Sequence, residues 1–269
     1  MNDQEPLRGY VDLWWQAVDD VTQLLEAVPA DQWSTPTDLA GWDVHAIASH
    51  IAHLEAVMSG ADHDDVEIGQ PAHVKGIMGR FTEQGVVARR DREPDSLIQE
   101  IRESATRRHT QLLSAPPSDP TATADGFAAF VGWSWKTLLR NRPFDVWMHE
   151  QDIRRAIGLP GNMDGPAAQH AADYLIESLP VVVGKRVAPP AGTTVLLAVE
   201  GSQQYAVSVG DDGRARPMEV PPPGPTVSLG LSREDFIVLA GGRRDPEDVV
   251  VEGDEQLAEL ILDAFAVTP

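Results

Sequence analysis

The chain has no cysteine among its 269 residues. That absence excludes disulfides, zinc–thiolate sites and a cysteine nucleophile, so any thiol chemistry here must take its sulfur from a bound cosubstrate. Lysine is almost as scarce, occurring only at Lys75, Lys136 and Lys185. Arginine supplies the rest of the 21 basic residues, which face 42 acidic ones and leave a formal net charge of −21. Such a surface repels phosphate backbones and anionic lipids, which argues against nucleic-acid or membrane-surface binding. No apolar run approaches the ~20 residues of a membrane span. Residues Met1 to Arg8 are polar and carry Asp3 and Glu5, without the basic start and apolar stretch of a signal peptide. The expectation is a soluble, cytoplasmic protein, monomeric or homodimeric. Scarce lysine beside abundant Ala, Gly and Pro also points to a GC-rich genome.

What is present suffices for a core, since 42% of the residues are hydrophobic and the length suits one large or two ordinary domains. The first half reads as helices. Val11, Trp14, Val18, Val21, Leu25 and Val28 recur at spacings of three and four, predicting an amphipathic helix over about 8–28. Asp43 is a good N-cap for a second helix running to about Met58. A third is expected over about 72–90, and a fourth, capped by Asp95, over about 96–113. A long helical stretch follows at 126–157 with Pro143 inside it, where proline either kinks the helix or opens a new segment. Gly158 and Pro160 end it.

The pattern then changes. One more helix, 166–179, precedes β-branched or alternating runs at 193–199, 205–209, 226–229 and 249–252, with short helices at 233–239 and 255–265 between them. Strands mixed with helices indicate an α+β domain. The expected organisation is a helical bundle over 1–160 and a smaller α+β domain over 161–269.

Two segments carry the candidate chemistry. Gly41-Trp-Asp-Val-His-Ala-Ile-Ala-Ser-His50-Ile-Ala-His53 places three histidines on one helix. At about 100° per residue, His50 lies roughly 80° from the centre of the apolar stripe, whereas His45 and His53 lie about 140° away. His50 is therefore expected to look into the bundle, and the other two to see solvent. In Arg142-Pro-Phe-Asp145-Val-Trp-Met-His149-Glu-Gln-Asp152, Asp145 and His149 are four apart and share a helix face, with Asp152 placed to orient an imidazole. Carboxylates and histidines from facing helices are how a bundle holds a metal. By spacing alone, the same residues equally describe a hydrogen-bonded pair and an ordinary boundary histidine. His149-Glu-Gln-Asp-Ile153 is not the zincin motif, which needs a second histidine where Ile153 stands.

The Gly41-Trp42-Asp43-Val44 to His50 segment resembles the N-terminal signature of the mycothiol-dependent maleylpyruvate isomerase family, a branch of the DinB-like bundles. The stretch from Arg142 to Gly158 is similar to that family's second hallmark. Gly242-Arg243, Val251-Glu-Gly-Asp254 and the closing Phe265 to Pro269 resemble its sterol-carrier-like C-terminal domain. The resemblance implies a DinB-like four-helix bundle followed by an α+β domain, with His50, Asp145 and His149 as metal ligands. It also implies Arg243 near the active site and mycothiol as thiol cosubstrate. The family's characterised isomerase has Glu where this chain has Asp145. Three protein ligands leave coordination positions open, as in catalytic zinc sites, and two imidazoles with one carboxylate also suit Fe(II), Ni(II) or Co(II). The implied activity is S-transfer to, or isomerisation of, a small electrophile in an actinobacterial protein. The alternatives are a metal-dependent hydrolase, with Asp152 or Glu150 as general base, and a non-enzymatic small-molecule-binding protein with a structural metal.

Overall fold

A computed structural model describes residues 4–268. The described chain divides between Gly161 and Asn162 into two compact units.

In the first unit the helices are α1 (Gln4–Ala27), α2 (Val44–Met58), α3 (Gly76–Ala88), α4 (Pro94–Ser114), the short α5 (Phe127–Phe130) and α6 (Trp135–Ile157). The four long helices α1, α2, α4 and α6 form a bundle, in which α1 packs on α6 and α4, and α2 on α4 and α6. Periodicity explains the packing. Leu7, Val11, Trp14, Val18, Val21 and Leu25 form one buried stripe on α1, and Val44, Ile47 and Ile51 one on α2. Polar side chains set the helix starts: Asp43 Oδ1 accepts from Ala46 N–H at 2.8 Å, and Ser134 Oγ from Thr137 N–H at 3.2 Å.

The second unit begins with α7 (Pro166–Ile176), α8 (Leu179–Val181) and a π-helical turn over Val182–Val187. The strands and helices that follow are β1 (Thr194–Val199), β2 (Tyr205–Val209), β3 (Ala215–Pro217), β4 (Val227–Leu231), α9 (Arg233–Ala240), β5 (Val249–Gly253) and α10 (Glu255–Asp263). The sheet order is β3-β2-β1-β4-β5, with β1 and β4 parallel and the other pairs antiparallel. Alternate residues of β1 and β4 (Val195, Leu197, Val199; Val227, Leu229, Leu231) are buried. Phe236 of α9 and Phe265, just past α10, meet edge-to-face at 5.5 Å in the core. The architecture is α+β, as expected. No helix among the described residues is long and apolar enough to cross a membrane.

Local departures from the expected elements have physical causes. The stretch 126–157 is not one helix: the chain turns at 131–134 and restarts at Ser134, whose hydroxyl caps α6. From there α6 runs unbroken through Pro143, which gives up one backbone bond. The third helix begins at Gly76 rather than 72, because Val74 N–H closes a turn onto Pro71. Pro94, not a residue after it, is the first residue of α4. β3 lacks any alternating apolar pattern, pairs only at the sheet edge and ends in proline, so nothing in its sequence marks it as a strand.

The segment 158–165 is irregular, with Gly158, Leu159 and Pro160 exposed. Limited digestion with a broad-specificity protease is expected to cut first within 158–165, and a fragment of residues 1–160 to remain helical by circular dichroism. An unfolded fragment would show that the units share a core.

Candidate metal centre

His50 (α2), Asp145 and His149 (both α6) meet inside the first unit. They form the one group of three or more His, Asp or Glu among the described residues whose ligand atoms all lie within 4.8 Å of one another. His50 Nε2 is 3.7 Å from Asp145 Oδ2, and His149 Nε2 is 3.8 Å from Asp145 Oδ1. Both separations are too long for hydrogen bonds. Ligand atoms about 2.05 Å from a tetrahedral ion stand about 3.3 Å apart, so small side-chain shifts would close this set around a metal. The imidazoles lie edge-to-face with centroids 4.7 Å apart.

The polar bookkeeping of the site fits a cation. His50 is 4% exposed, yet neither ring nitrogen has a hydrogen-bond partner. A buried polar group without a partner is costly unless something else fills its lone pair. His149 is different: its Nδ1 donates to Asp152 Oδ2 at 3.2 Å, which fixes the tautomer and turns the Nε2 lone pair toward Asp145 and His50. Asp152 is fully buried and also accepts from Arg155 Nη2 at 2.5 Å, while Arg155 Nε reaches Asp38 at 2.7 Å.

Protonation agrees with the same reading. Burial pushes the His50 pKa below its ordinary value, against the opposing pull of Asp145. Burial alone would raise the Asp145 pKa, but Arg142 first, and then the two imidazoles, hold it below the usual carboxylate range. A neutral imidazole and an ionised carboxylate are the forms that ligate metals.

Trp42 covers the site, its ring 5.0 Å from that of His50 and 6.0 Å from that of His149. Its Nε1 donates to Glu83 Oε2 at 2.9 Å, and His73 Nε2 sits 3.1 Å from the same oxygen. The turn that delivers Trp42 needs glycine at 41: φ is +83°, and a Cβ there would lie 2.4 Å from His73 Nδ1. Trp42 also lines a groove of about 630 Å³ with Trp33, Thr37, Glu83 and Arg90, but none of His50, Asp145 and His149 borders it.

The expectation that His45 and His53 see solvent is corrected. His45 is half-buried, its Nε2 2.8 Å from the Arg92 carbonyl oxygen, and His53 is fully buried. A single apolar stripe implies a single covered face, but α3 packs on α2 as well. The His53 ring lies against Gly85 of α3, where a Cβ would stand 2.0 Å from His53 Cγ. His53 Nε2 and His63 Nδ1 share a hydrogen bond of 3.1 Å.

Arg243 belongs to the second unit, in the loop after α9. Its Nη1 donates to Gly241 O at 2.5 Å and Thr268 Oγ1 at 3.0 Å. Sequence reasoning assigned no role to Trp42, Glu55, Arg142 or Arg155. The signal for Arg142 is its position three residues before Asp145 on the same helix face.

A helical bundle with an inward His/Asp/His set, joined to a separate α+β unit, is the class of protein that this fold and site define. Residues 14–154 match the family described as "Mycothiol maleylpyruvate isomerase N-terminal domain", and residues 169–260 match the "MDMPI C-terminal domain". The chain belongs to the mycothiol-dependent maleylpyruvate isomerase family. Two curated relatives, "Uncharacterized protein MT0041" and "Uncharacterized protein Rv0036c" of Mycobacterium tuberculosis (strains CDC 1551 / Oshkosh and ATCC 25618 / H37Rv), are each 26% identical over 149 residues. The match takes in 52% of this chain and 53% of each relative, so the chain spans only that share of their length. The crystal structure of the mycothiol-dependent maleylpyruvate isomerase superposes with a TM-score of 0.60 at 16% identity, over 92% of this chain and 93% of that one. A histidine-to-alanine mutant of that enzyme gives 0.59 at 15% over the same shares. At such identity the likeness shows the fold alone.

Two predictions follow from the geometry. The purified protein is expected to hold about one divalent metal per chain by elemental analysis. His50→Ala and His149→Ala should each lose most of it. His45→Ala and His53→Ala should retain it, although His53→Ala costs stability, about 1–3 kcal/mol. Equal metal in all four variants would remove the assignment.

The second concerns acid. Burial, aided by Arg89, His50 and His63, lowers the His53 pKa from 6.5 to about 3. Between those values the unfolded chain takes up a proton that the folded chain refuses. Stability is therefore intact above pH 6.5 and falls with decreasing pH, by up to about 1.4 kcal/mol per unit from this residue. Thermal unfolding of metal-free protein between pH 8 and 4 should show this slope, and His53→Gln should flatten it. Identical slopes would mean that folded His53 takes the proton.

Proposed function

We propose that this chain is a metal-dependent enzyme that activates mycothiol for S-transfer to, or isomerisation of, a small electrophile, with His50, Asp145 and His149 holding the metal, zinc by preference. The observation that carries the reading is the buried, unpartnered His50 imidazole facing a carboxylate and a second, pre-oriented imidazole. A divalent metal bound there supplies the charge that keeps a thiol deprotonated at neutral pH. Everything else is done by the chain. Asp152 holds the His149 proton on Nδ1, and Arg155 holds Asp152. Trp42 shields one side of both imidazoles from water. With no cysteine of its own, the chain offers no thiol to compete with the cosubstrate.

Hydrolysis is the weaker reading, because both candidate general bases are engaged. Glu150 is fully buried and accepts from Arg154 Nε at 2.7 Å, and Asp152 is held between His149 and Arg155. We assign Arg243 a catalytic role on family resemblance, with its guanidinium held by Gly241 and Thr268.

Adding mycothiol to cobalt-substituted protein should produce a sulfur-to-metal charge-transfer band. His50→Ala and His149→Ala should abolish it. Asp145→Asn should weaken metal binding because an amide oxygen is the poorer donor, whereas Arg243→Gln should leave metal content unchanged and slow turnover. If the metal is present but mycothiol gives neither a band nor thermal protection, the thiol reading is lost and metal-activated water takes its place.

A further inference from the structure

Directly behind Asp145 lies a buried ion pair with no part in the chemistry proposed above. Arg142 is 4% exposed and Glu55 fully buried. Arg142 Nη1 donates to Asp145 Oδ2 at 2.8 Å, while Nη2 donates to Glu55 Oε1 at 2.6 Å. Glu55 Oε1 also accepts from Trp14 Nε1 at 3.1 Å, so α1 fixes the carboxylate that fixes the arginine. The guanidinium is thus stretched between a glutamate on α2 and an aspartate on its own helix.

We propose that Arg142, tethered by Glu55, is a positioning residue that restricts Asp145 to donating one oxygen to the metal. The proposal rests on the metal reading above. A guanidinium free to turn grips both oxygens of a carboxylate in a fork and leaves it a poor ligand. An aspartate with no arginine is free to clasp a metal with both oxygens, as carboxylates often do, and would fill a position that a thiol needs. Glu55 prevents the first outcome by holding Nη2 away. Arg142 Nη1 opposes the second by directing a proton at Oδ2, the oxygen 3.7 Å from His50 Nε2, and so weakens that oxygen as a donor relative to Oδ1, which faces His149 Nε2 at 3.8 Å. Stability alone gives little reason for the pair, because well-packed apolar residues usually serve a bundle interior at least as well.

The test uses full-length, metal-free protein titrated with cobalt(II), and then with 2-mercaptoethanol. Visible absorption by cobalt is strong at four-coordinate sites and falls as coordination number rises, so it reports how Asp145 binds. The double variant Glu55→Gln/Arg142→Met removes both buried charges together and avoids stranding either one. It should bind cobalt with a clearly weaker visible band, and its affinity for the added thiol should fall about tenfold or more. Arg142→Lys, which offers a point charge in place of a fork, should change the band in the same direction; it decides the matter if the double variant does not fold. A purely structural tie would lower the unfolding temperature and leave the spectrum alone. Parent-like band intensity and thiol affinity in a folded variant therefore overturn the positioning role while the metal reading stands. A parent protein that binds no cobalt overturns both.

Discussion

Charged side chains cannot stand alone in the dry interior of a helical bundle, and the first unit is organised around meeting that demand. Two chains of partners run inward. One passes from Trp14 through Glu55 and Arg142 to Asp145; the other passes from Asp38 through Arg155 and Asp152 to His149. They converge on the point where His50 enters from α2 with both ring nitrogens unpartnered. Each chain orients a residue that faces this point, where the His50 nitrogens form a polar deficit that suits a cation. The position of the loop before α2 follows from the same demand, because Asp38 and Trp42 in that loop both serve the site.

The composition acquires a structural meaning here. Three arginines each span two carboxylates: Arg142 over Glu55 and Asp145, Arg155 over Asp38 and Asp152, Arg89 over Asp64 and Glu100. A planar fork with several fixed donors bridges two acids in a set geometry, whereas the compact ammonium of lysine acts as a point charge with rotatable donors. In a chain with twice as many acidic as basic residues, these three cations each serve more than one acidic partner.

Much of this was legible before any coordinates. The three clustered residues stood out because Asp145 and His149 share a helix face and His50 flanks an apolar stripe, and the motifs around them carry the family. The capping of α2 by Asp43 was equally readable. Arg142 and Glu55 were not, since charged residues on a helix ordinarily face water and only their mutual contact brings them inside. His53 misled for a related reason: an angle measured from one stripe cannot register a second helix packing on the opposite side. The break before α6 was hidden because Gly132 and Ser134 sit among residues whose apolar spacing continues the helical pattern.

The order in which α1 and α6 occur in the chain bears on how the centre comes into being. These two helices, first and last of the bundle, pack on each other, and α6 carries two of the three residues of the His/Asp/His cluster. Protein synthesis is vectorial, at about 5–20 residues per second, so α1 and α2 emerge several seconds before α6 exists. Throughout that interval His50 is a lone imidazole on an incomplete bundle, with neither Asp145 nor His149 beside it. The His/Asp/His cluster is complete only after the last helix has emerged and docked. Completion of the cluster is thereby a late event in the life of the nascent chain, and it marks a bundle that has closed.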